Sequence, residues 1–334
     1  MSNTPPVTVI MPILNEELHL VDSVQRILAQ EYSGDLDVVL AVGPSRDRTR
    51  EVAEELQRTN DRVTVVDNPT GRTPAGLNAA IAAATGEVIV RVDGHAMIPS
   101  DYVAIAVETL ERTGADNVGG IMAAEGVTDF GIAVARAMTS KFGVGGASFH
   151  VGGGEGPALT VYLGTFRRSA LDRVGGYDET MVRAQDWEMN LRIRETGGLI
   201  WFTPRMLVTY RPRATVGALA RQYHDYGRWR REVVRRHPDT LSLRYLAAPV
   251  AVAAIAIGLL LVILGVVMGH SWLVLLGLIP PIGYLAANLL ASLVSAVSAP
   301  RLRLRSALWL PLVYATMHLT WGAGFLRGGA GRES

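Results

Sequence analysis

The sequence predicts a chain of two parts, an α/β domain with a mostly parallel sheet and a membrane region that follows it. Three observations lead to this prediction. Short β-branched runs alternate with amphipathic helical patterns over residues 1–212, as is typical of right-handed βαβ units. An arginine-rich amphipathic stretch comes next, and three uncharged apolar stretches follow it. Hydrophobic residues make up 49% of the 334 residues, and their excess lies at the C-terminal end.

Six strands and six helices are predicted in chain order before the apolar stretches begin. The predicted strands are 7–11, which Pro12 ends, then 37–42, 63–66, 87–95, 118–122 and 159–167. The predicted helices run over 16–30 with Asn15 as its cap, from 45 or 47 through 56, from 74 through 81, over 101–112, from 185 through 193, and over 216–237.

Composition narrows the classes of partner and site. The net charge of +1 gives no reason to propose nucleic acid as a partner. The chain has no cysteine, which excludes disulfides and thiolate metal sites and leaves the redox compartment open. The segment 1–6 is short and polar and lacks the basic and apolar regions of a signal peptide, so the first domain is expected in the cytoplasm.

The predicted strand 87–95 is the stretch around which the first domain is organised. It is rich in β-branched residues, as in the middle of a parallel sheet, and Gly94 lets the backbone turn at its end. Ligands of open α/β sheets bind at these strand ends. Asp93 and His95 lie there two residues apart and could both reach one divalent cation. The alternative interpretation is a strand followed by a polar turn.

Two later stretches are also candidates for a site. Residues 142–156 are glycine-rich and are interpreted either as a mobile loop beside a site or as a flexible connection. Asp186 lies in the first turn of a predicted helix, where carboxylates are usually caps or partners of the helix dipole.

The C-terminal part predicts a membrane region. The helix 216–237 has a basic face and aromatic residues, which is typical of an interfacial membrane helix; the alternative is a solvated helix packed on the domain. Predicted transmembrane spans are 247–269, 272–299 and 307–326. A tight link over 269–271 makes the first two a hairpin. The alternative is a buried hydrophobic subdomain.

Arginines around the first two spans predict the orientation of the chain. A cluster precedes the first span and Arg301, Arg303 and Arg305 follow the second, so both flanks are expected in the cytoplasm and the tail from Arg327 outside. The expected organisation is a domain over 1–212, an amphipathic linker over 213–245 and a membrane domain over 246–334.

Six segments, each weak alone, are similar in order and spacing to motifs of one family. They are Pro12-Ile13-Leu14-Asn15-Glu16, Ser45-Arg46-Asp47-Arg48-Thr49, Gly71-Arg72 with Gly76-Leu77-Asn78-Ala79-Ala80, Asp93-Gly94-His95, Gln185-Asp186-Trp187-Glu188, and Gln222 to Trp229. Over residues 7–229 the sequence resembles the family 2 glycosyltransferases with the GT-A fold, a Rossmann-like fold with a mostly parallel sheet.

This resemblance implies an inverting, metal-dependent hexosyltransferase that uses a nucleotide-diphosphate sugar, with a UDP-sugar as the default. It implies Asp186 as the catalytic base and Asp93 and His95 as ligands of Mn²⁺ or Mg²⁺; the imidazole favours Mn²⁺. Arg72 could contact the diphosphate, or it is a solvated loop arginine. The implied nucleotide-sugar residues are Pro12, Leu14, Asn15, Glu16, Gly71, Arg72, Gly76, Asn78 and Asp93. The implied donor-sugar or acceptor side comprises Glu155, Tyr162, Gly164, Phe166, Gln185, Gln222, Arg228 and Trp229.

Two departures from the family pattern concern the base and the catalytic motif. Ala41, Val42 and Gly43 stand where the family usually has aspartates that hold the nucleotide base, so the base is not specified. Gln185 replaces the usual glutamate before the catalytic aspartate.

The expected acceptor is a lipid-linked, polyprenyl-type sugar at the cytoplasmic face of the cell membrane, in the synthesis of cell-envelope polysaccharide. Two alternatives differ in what the chain does with its donor. It could be a processive synthase, although three spans are few for a polymer channel, or a non-catalytic membrane scaffold that keeps the fold. A transporter is disfavoured because His318 is the one ionisable residue in the spans. The oligomeric state is not predicted.

Overall fold

The computed structural model describes residues 4–329. Those parts of the N-terminal and C-terminal predictions that fall on residues 1–3 and 330–334 lie outside the described residues. The chain forms two compact units: the first takes in residues up to Ala123 together with Ala147–Tyr210, and the second Ala124–Gly146 together with the chain from Arg211.

Eight strands and fourteen α-helices are assigned in chain order within the described residues. The strands are β1 (Val7–Ile13), β2 (Leu36–Val42), β3 (Val63–Asp67), β4 (Val88–Arg91), β5 (Asn117–Ala124), β6 (Gly156–Pro157), β7 (Tyr162–Arg167) and β8 (Ile200–Tyr210). The helices are α1 (Leu20–Leu28), α2 (Thr49–Thr59), α3 (Thr73–Ala83), α4 (Tyr102–Thr113), α5 (Asp129–Met138), α6 (Lys141–Val144), α7 (Ser148–Val151), α8 (Arg168–Val174), α9 (Gln185–Glu195), α10 (Val216–Arg236), α11 (Leu243–Met268), α12 (Ser271–Val297), α13 (Leu304–Ala307) and α14 (Leu310–Arg327).

The first unit contains one eight-stranded sheet in the order β3-β2-β1-β4-β7-β5-β8-β6. Strands β3, β2, β1 and β4 are parallel, whereas β7 runs antiparallel to both β4 and β5. The predicted α/β class with a mostly parallel sheet is therefore confirmed. The four parallel strands bring the loops after β1, β2, β3 and β4 to one edge of the sheet, which is where ligands of such sheets bind.

Pro12 does not end β1, as the sequence predicted, because its missing N–H falls where no partner strand needs it. The ladder between β1 and β4 stops at the pair Ile10–Arg91, and Ile10 accepts the last bond from Val92. The backbone nitrogen of Pro12 faces the β4 side, as the backbone of Ile10 does, but it lies beyond the end of the β1–β4 ladder. On the other side Ile13 still accepts a bond from Gly43, so the strand continues along β2.

Residues of β1 alternate between the two faces of the sheet, and each face has its own core. Val9 and Met11 belong to the cluster that also contains buried residues of α1 and α4. Ile10 belongs to the cluster that includes Leu77 of α3 and Met189 of α9. Because successive side chains of a strand point in opposite directions, helices on both faces are needed to bury this strand. Such two-sided burial fixes the register of β4 and thereby the position of its C-terminal residues.

The second unit includes segment 124–146, which the sequence placed inside the first domain. Its helix α5 is bonded to other parts of the second unit. Arg136 donates to the carbonyl oxygen of Ser295 at 2.9 Å, and Asp129 accepts a bond from the Ser306 hydroxyl at 2.8 Å. These long-range bonds explain why the segment groups with the later helices.

Two helices among the described residues, α11 and α12, are long and apolar enough to cross a membrane. Only 11% of the most apolar window of each is buried, so their apolar side chains are largely exposed, which indicates membrane association. They form the predicted hairpin, with Gly269 at a φ of +70° between them. The close approach of Gly258 and Gly277 lets the two backbones pack together. The third predicted span corresponds to α14, which is helical but does not reach the same apolar character.

Helix α10 packs along α14 within the second unit. Gly227 lies against the carbonyl oxygen of Trp321, and Gly324 lies against that of His224, so neither position has room for a side chain. The apolar face of α10, including Leu219 and Val233, is buried. An interfacial role for the basic face of α10 stays a prediction.

Candidate active site

The loops after β1 and β2 are joined by hydrogen bonds at the carboxyl edge of the sheet. Asn15 donates its backbone N–H to the Ser45 hydroxyl at 3.0 Å and accepts from the backbone N–H of Arg46 at 2.8 Å. Glu16 donates its backbone N–H to the Thr49 hydroxyl at 2.7 Å. The two segments that resemble family motifs therefore form one structure.

Asn15 is not a helix cap, contrary to the prediction from its position. It has a φ of +57°, and α1 begins only at Leu20, with His19 as its N-cap. Asparagine tolerates the left-handed conformation better than most residues. Its side chain accepts a hydrogen bond from the loop after β2 instead of capping the next helix.

The nucleotide-sugar candidates Gly71 and Gly76 lie in close-packed parts of the loop after β3 and of α3. Gly71 has a φ of +63°, and a β-carbon there would lie 3.0 Å from Pro44. A β-carbon at Gly76 would lie 2.6 Å from the side-chain amide of Asn68. Both positions need glycine, so the backbone at this edge can approach a ligand closely.

Three other nucleotide-sugar candidates have different surroundings. Leu14 is an exposed apolar side chain, and Arg72 is exposed at the start of α3. Asn78 holds a turn: its amide donates to the carbonyl oxygen of Tyr177 at 2.9 Å and to Glu179 at 3.0 Å, and its oxygen accepts from the Tyr177 N–H at 2.8 Å. Their roles toward a nucleotide stay predictions.

Glu16 and His95 meet at the ends of β1 and β4. Glu16 Oε1 and His95 Nδ1 are 2.8 Å apart. A β-carbon at Gly94 would lie 2.8 Å from Glu16 Cγ, so glycine is required for this approach. A carboxylate on one ring nitrogen fixes the tautomer and orientation of an imidazole, as is common for histidines that bind metals.

Arg91 connects the two carboxylates that the sequence singled out. Its Nε and Nη2 donate to Asp93 Oδ1 at 3.1 and 2.9 Å, and its Nη1 donates to Asp186 Oδ1. The Arg91 side chain is 5% exposed, whereas those of Asp93 and Asp186 are 27% and 31% exposed. The structure therefore brings Asp93 and Asp186 into one site, with the arginine beneath them and the carboxylates at its surface.

Burial and neighbouring charges shift the pKa values of three residues in this site. Burial alone would lower the pKa of the Arg91 guanidinium, but the charges of Asp186 and Asp93 raise it well above its usual value. Burial raises the pKa of the Asp186 carboxyl above its usual value, although Arg91 acts in the opposite direction. Burial and then the charge of Asp186 raise the pKa of Tyr177, although the neighbouring Arg91 guanidinium acts in the opposite direction.

Asp93 and His95 suit a cation that takes most of its ligands from a substrate. Residues 4–329 contain no cluster of three or more histidine, aspartate or glutamate side chains that could hold a metal ion by themselves. Mg²⁺ and similar ions are commonly bound by one or two carboxylates together with substrate phosphates. The donor set of one carboxylate and one oriented imidazole fits such a shared site.

The residues expected on the donor-sugar or acceptor side are distributed over both units. Glu155 pairs with Arg112 and accepts from Trp201 Nε1 at 2.8 Å. Tyr162, Gly164 and Phe166 lie on β7, and the Phe166 ring is buried edge-on against Tyr177. Gln185 is the first residue of α9. Three candidates lie on α10 in the second unit: Gln222 and Trp229 are buried, and Arg228 donates to the carbonyl oxygens of Gly328 and Gly329.

Ala184, immediately before α9, has a φ of +60°. This left-handed conformation costs an alanine roughly 1–2 kcal/mol, so Ala184→Gly is expected to raise the free energy of unfolding by about 1 kcal/mol. The matched control is Ala82→Gly, an exposed position in the last turn of α3, which should lower the free energy of unfolding by at most about 0.5–1 kcal/mol. Denaturant unfolding of the full chain in detergent measures both. A lower free energy of unfolding for Ala184→Gly would contradict the inferred strain at this residue.

Arg91 and Tyr177 belong to the site but were not among the residues predicted from the sequence. Arg91 carried a usable signal, because a charged residue interrupts a β-branched run two positions before Asp93 and so shares its face of the strand. Tyr177 follows a glycine pair in a turn and gave no comparable signal.

Comparisons with known proteins identify the family and the fold of the chain. Residues 8–175 match the model of the family described as "Glycosyl transferase family 2". The succinoglycan biosynthesis protein ExoA of Rhizobium meliloti is 34% identical over 324 residues, covering 96% of this chain and 93% of that protein. A dolichyl N-acetyl-alpha-D-glucosaminyl phosphate 3-beta-D-2,3-diacetamido-2,3-dideoxy-beta-D-glucuronosyltransferase of Methanococcus voltae is 23% identical, covering 69% and 74%.

Among solved structures, the mannosyltransferase PcManGT from Pyrobaculum calidifontis, in complex with GDP-Man and Mn²⁺, superposes with a TM-score of 0.60 at 20% identity. That match covers 97% of this chain and 88% of the other, and it supports the fold. The sequence matches and the fold together show that the chain belongs to glycosyl transferase family 2 and that its α/β unit has the GT-A fold.

Proposed function

We propose that this glycosyltransferase is a metal-dependent, inverting hexosyltransferase that moves a sugar from a nucleotide-diphosphate sugar to a lipid-linked acceptor. The observation that carries the proposal is the bridge from Arg91 to both Asp93 and Asp186. It puts a carboxylate suited to a cation and a carboxylate suited to a base at one strand end.

Asp186 is the catalytic base of the proposed reaction. Its carboxylate removes the proton from the acceptor hydroxyl as that oxygen attacks the anomeric carbon, and the bond from that carbon to the diphosphate oxygen breaks. Attack from the face opposite the leaving diphosphate inverts the anomeric centre. The Asp186 side chain is partly exposed and can reach a substrate, while Arg91 donates a hydrogen bond to its Oδ1.

Asp93 and His95 would hold a divalent cation at the diphosphate. Such an ion supplies the positive charge that neutralises the leaving group. Glu16 orients the His95 ring, and the exposed Arg72 adds a fixed charge suited to a phosphate. Mn²⁺ is proposed before Mg²⁺ because one ligand is an imidazole, and the related fold of PcManGT was solved with Mn²⁺.

The donor is proposed to be a UDP-sugar by default. PcManGT, which has the same fold, is in complex with GDP-Man, so a GDP-sugar is the second candidate donor. Two features leave the choice of base to experiment. Residues 41–43, at the end of β2 and just after it, contain no aspartate. In the loop that follows, the Ser45 hydroxyl accepts a bond from the backbone N–H of Asn15.

The lipid-linked acceptor is proposed from the apolar helices. Helices α11 and α12 expose most of their apolar side chains, and we propose that they and α14 cross the cell membrane with the α/β unit in the cytoplasm. A chain anchored in this way works on substrates at the same membrane, such as polyprenyl-linked intermediates of polysaccharide synthesis. ExoA, a succinoglycan biosynthesis protein, is similar over nearly the whole chain, which favours a role in making extracellular or cell-envelope polysaccharide.

A donor screen with the purified full chain tests this function. UDP-sugars and GDP-sugars are incubated with Mn²⁺, with and without chelator, and with either a polyprenyl-diphosphate sugar or its water-soluble analogue. One donor should be consumed in a Mn²⁺-dependent way, faster with the lipid, and the product should have inverted configuration by NMR. Turnover unaffected by chelator would contradict the metal, and equal rates with both acceptors would contradict the lipid.

A further inference from the structure

The Arg91 guanidinium occupies the centre of the site but is not itself at its surface. Its three nitrogens are divided between two carboxylates, Nε and Nη2 to Asp93 and Nη1 to Asp186. The side chain is 5% exposed, so a substrate meets the carboxylates before it meets the arginine. We therefore expect an effect of Arg91 on the reaction to act through the two carboxylates to which it donates.

Stability alone does not account for an arginine at this position. Strand β4 is otherwise apolar and β-branched, and its residues are buried. Taking a guanidinium out of water is expensive, and buried ion pairs can often be replaced by apolar residues without loss of stability. The charge is better explained by what it does to the two carboxylates.

The two carboxylates differ in how they are held. Asp93 follows Arg91 on the same chain segment, and Val92 between them is still bonded to β1, so the backbone places Asp93. Asp186 comes from α9, 95 residues further along the chain. It lies in the first turn of that helix, where a carboxylate can instead turn toward the free backbone N–H groups. The bond from Arg91 selects the direction toward the strand end.

We propose that Arg91 is a positioning residue that fixes the Asp186 carboxylate relative to Asp93, so that the base faces the acceptor hydroxyl while the diphosphate is held at the strand end. This inference rests on the proposed function. It follows that Arg91 acts on the transfer step and does so through Asp186. A lysine cannot replace it, because a single ammonium lacks the planar fork that serves two carboxylates at once.

Substitution of Arg91 should separate transfer from donor binding. Arg91→Lys is expected to lower kcat by roughly 10²-fold, the usual effect of misplacing a catalytic group by about 1 Å, with the donor Kd changed less than about threefold. Arg91→Ala should lose at least as much, and added guanidinium chloride should restore part of kcat where the same concentration of sodium chloride does not. The matched control is Arg168→Lys, because Arg168 also donates to two acceptors, the carbonyl oxygens of Gly86 and Ala84, but touches neither carboxylate.

A double-mutant cycle decides whether Arg91 acts through Asp186. If it does, Arg91→Lys has little further effect on the residual rate of Asp186→Asn, whereas independent roles give multiplied losses. Multiplied losses, a change confined to donor Kd, or a kcat for Arg91→Lys equal to that of the unchanged protein would each overturn the proposal. Failure of the Asp186 base assignment gives a different result from failure of the Arg91 proposal, because Asp186→Asn alone would then keep the rate of the unchanged protein. Unfolding midpoints of all variants identify any that are simply unfolded.

Discussion

Asp186→Asn is expected to lower kcat for sugar transfer by roughly 10²–10⁴-fold, the usual contribution of a positioned general base. The amide keeps the size and shape of the carboxylate and can still accept a bond from Arg91 through its oxygen. What it loses is the capacity to take a proton. Donor binding should therefore persist, and single-turnover transfer together with the donor Kd measures the two effects separately.

The control for this substitution is Glu195→Gln, which removes the same charge from the exposed C-terminal end of the same helix, α9. It should leave kcat unchanged. A near-normal rate for Asp186→Asn with donor bound would remove Asp186 from the mechanism. Equal losses in both variants would assign the effect to the charge of the helix instead of to a base.

As the proposed base, Asp186 is expected to set the acid side of the pH profile. A base acts in its ionised form, and burial raises the pKa of Asp186 above that of an exposed aspartate. The carboxyl is then protonated at pH values where an exposed aspartate is still ionised. Activity should accordingly fall at a higher pH than an ordinary aspartate would give, and kcat/KM measured against pH reports this limb.

The sheet was largely predictable from local sequence because its strands are buried on both faces. Strands β1, β2 and β4 are rich in buried apolar and β-branched residues, and the sequence therefore placed β1 to β4 and the helices between them. Strand β8 was not predicted, since Pro204 and Arg205 interrupt its apolar run, and the two-residue β6 carries no pattern at all. Helix α5 was also missed.

Errors at the loop after β1 have a common physical cause. Asn15 has the residue type of a cap, and Glu16 and Glu17 suit a first helical turn, so local rules predict a helix from there. The structure instead uses Asn15 for a bond to the loop after β2 and Glu16 for a bond to Thr49 at the start of α2, both 30 or more residues away. Such tertiary bonds override local preference, and no single-segment pattern reveals them.

The site was predictable as a set of strand and helix ends but not as a geometry. The resemblance to family 2 motifs supplied Asp93, His95 and Asp186, and the parallel sheet brings strand ends to one edge. That Asp93 and Asp186 would share one guanidinium depends on how α9 packs against the sheet. Contacts across 95 residues are set by that packing. The charged residue in β4 was the one local sign of it.

Asp93→Ala is expected to abolish Mn²⁺-dependent turnover, with kcat lowered by at least about 10²-fold. The reason is that neutralisation of the leaving diphosphate by a cation stabilises the transition state by several kcal/mol. The fold should tolerate the change because Arg91 keeps its bond to Asp186. Two measurements that do not depend on turnover accompany the assay: Mn²⁺ binding followed by electron paramagnetic resonance, and the donor Kd with and without Mn²⁺. In the variant, Mn²⁺ should no longer tighten donor binding.

Asp61→Ala is the control for this loss, because Asp61 is an exposed aspartate just before β3, at the amino end of a parallel strand and so at the opposite edge of the sheet from Asp93. It removes the same charge and should leave both Mn²⁺ binding and turnover unchanged. Retained activity of Asp93→Ala in chelator would rule out a cation held by this residue. If turnover were lost while Mn²⁺ still tightened donor binding, the cation would lie elsewhere, and Asp93 would act through the guanidinium that it shares with the base.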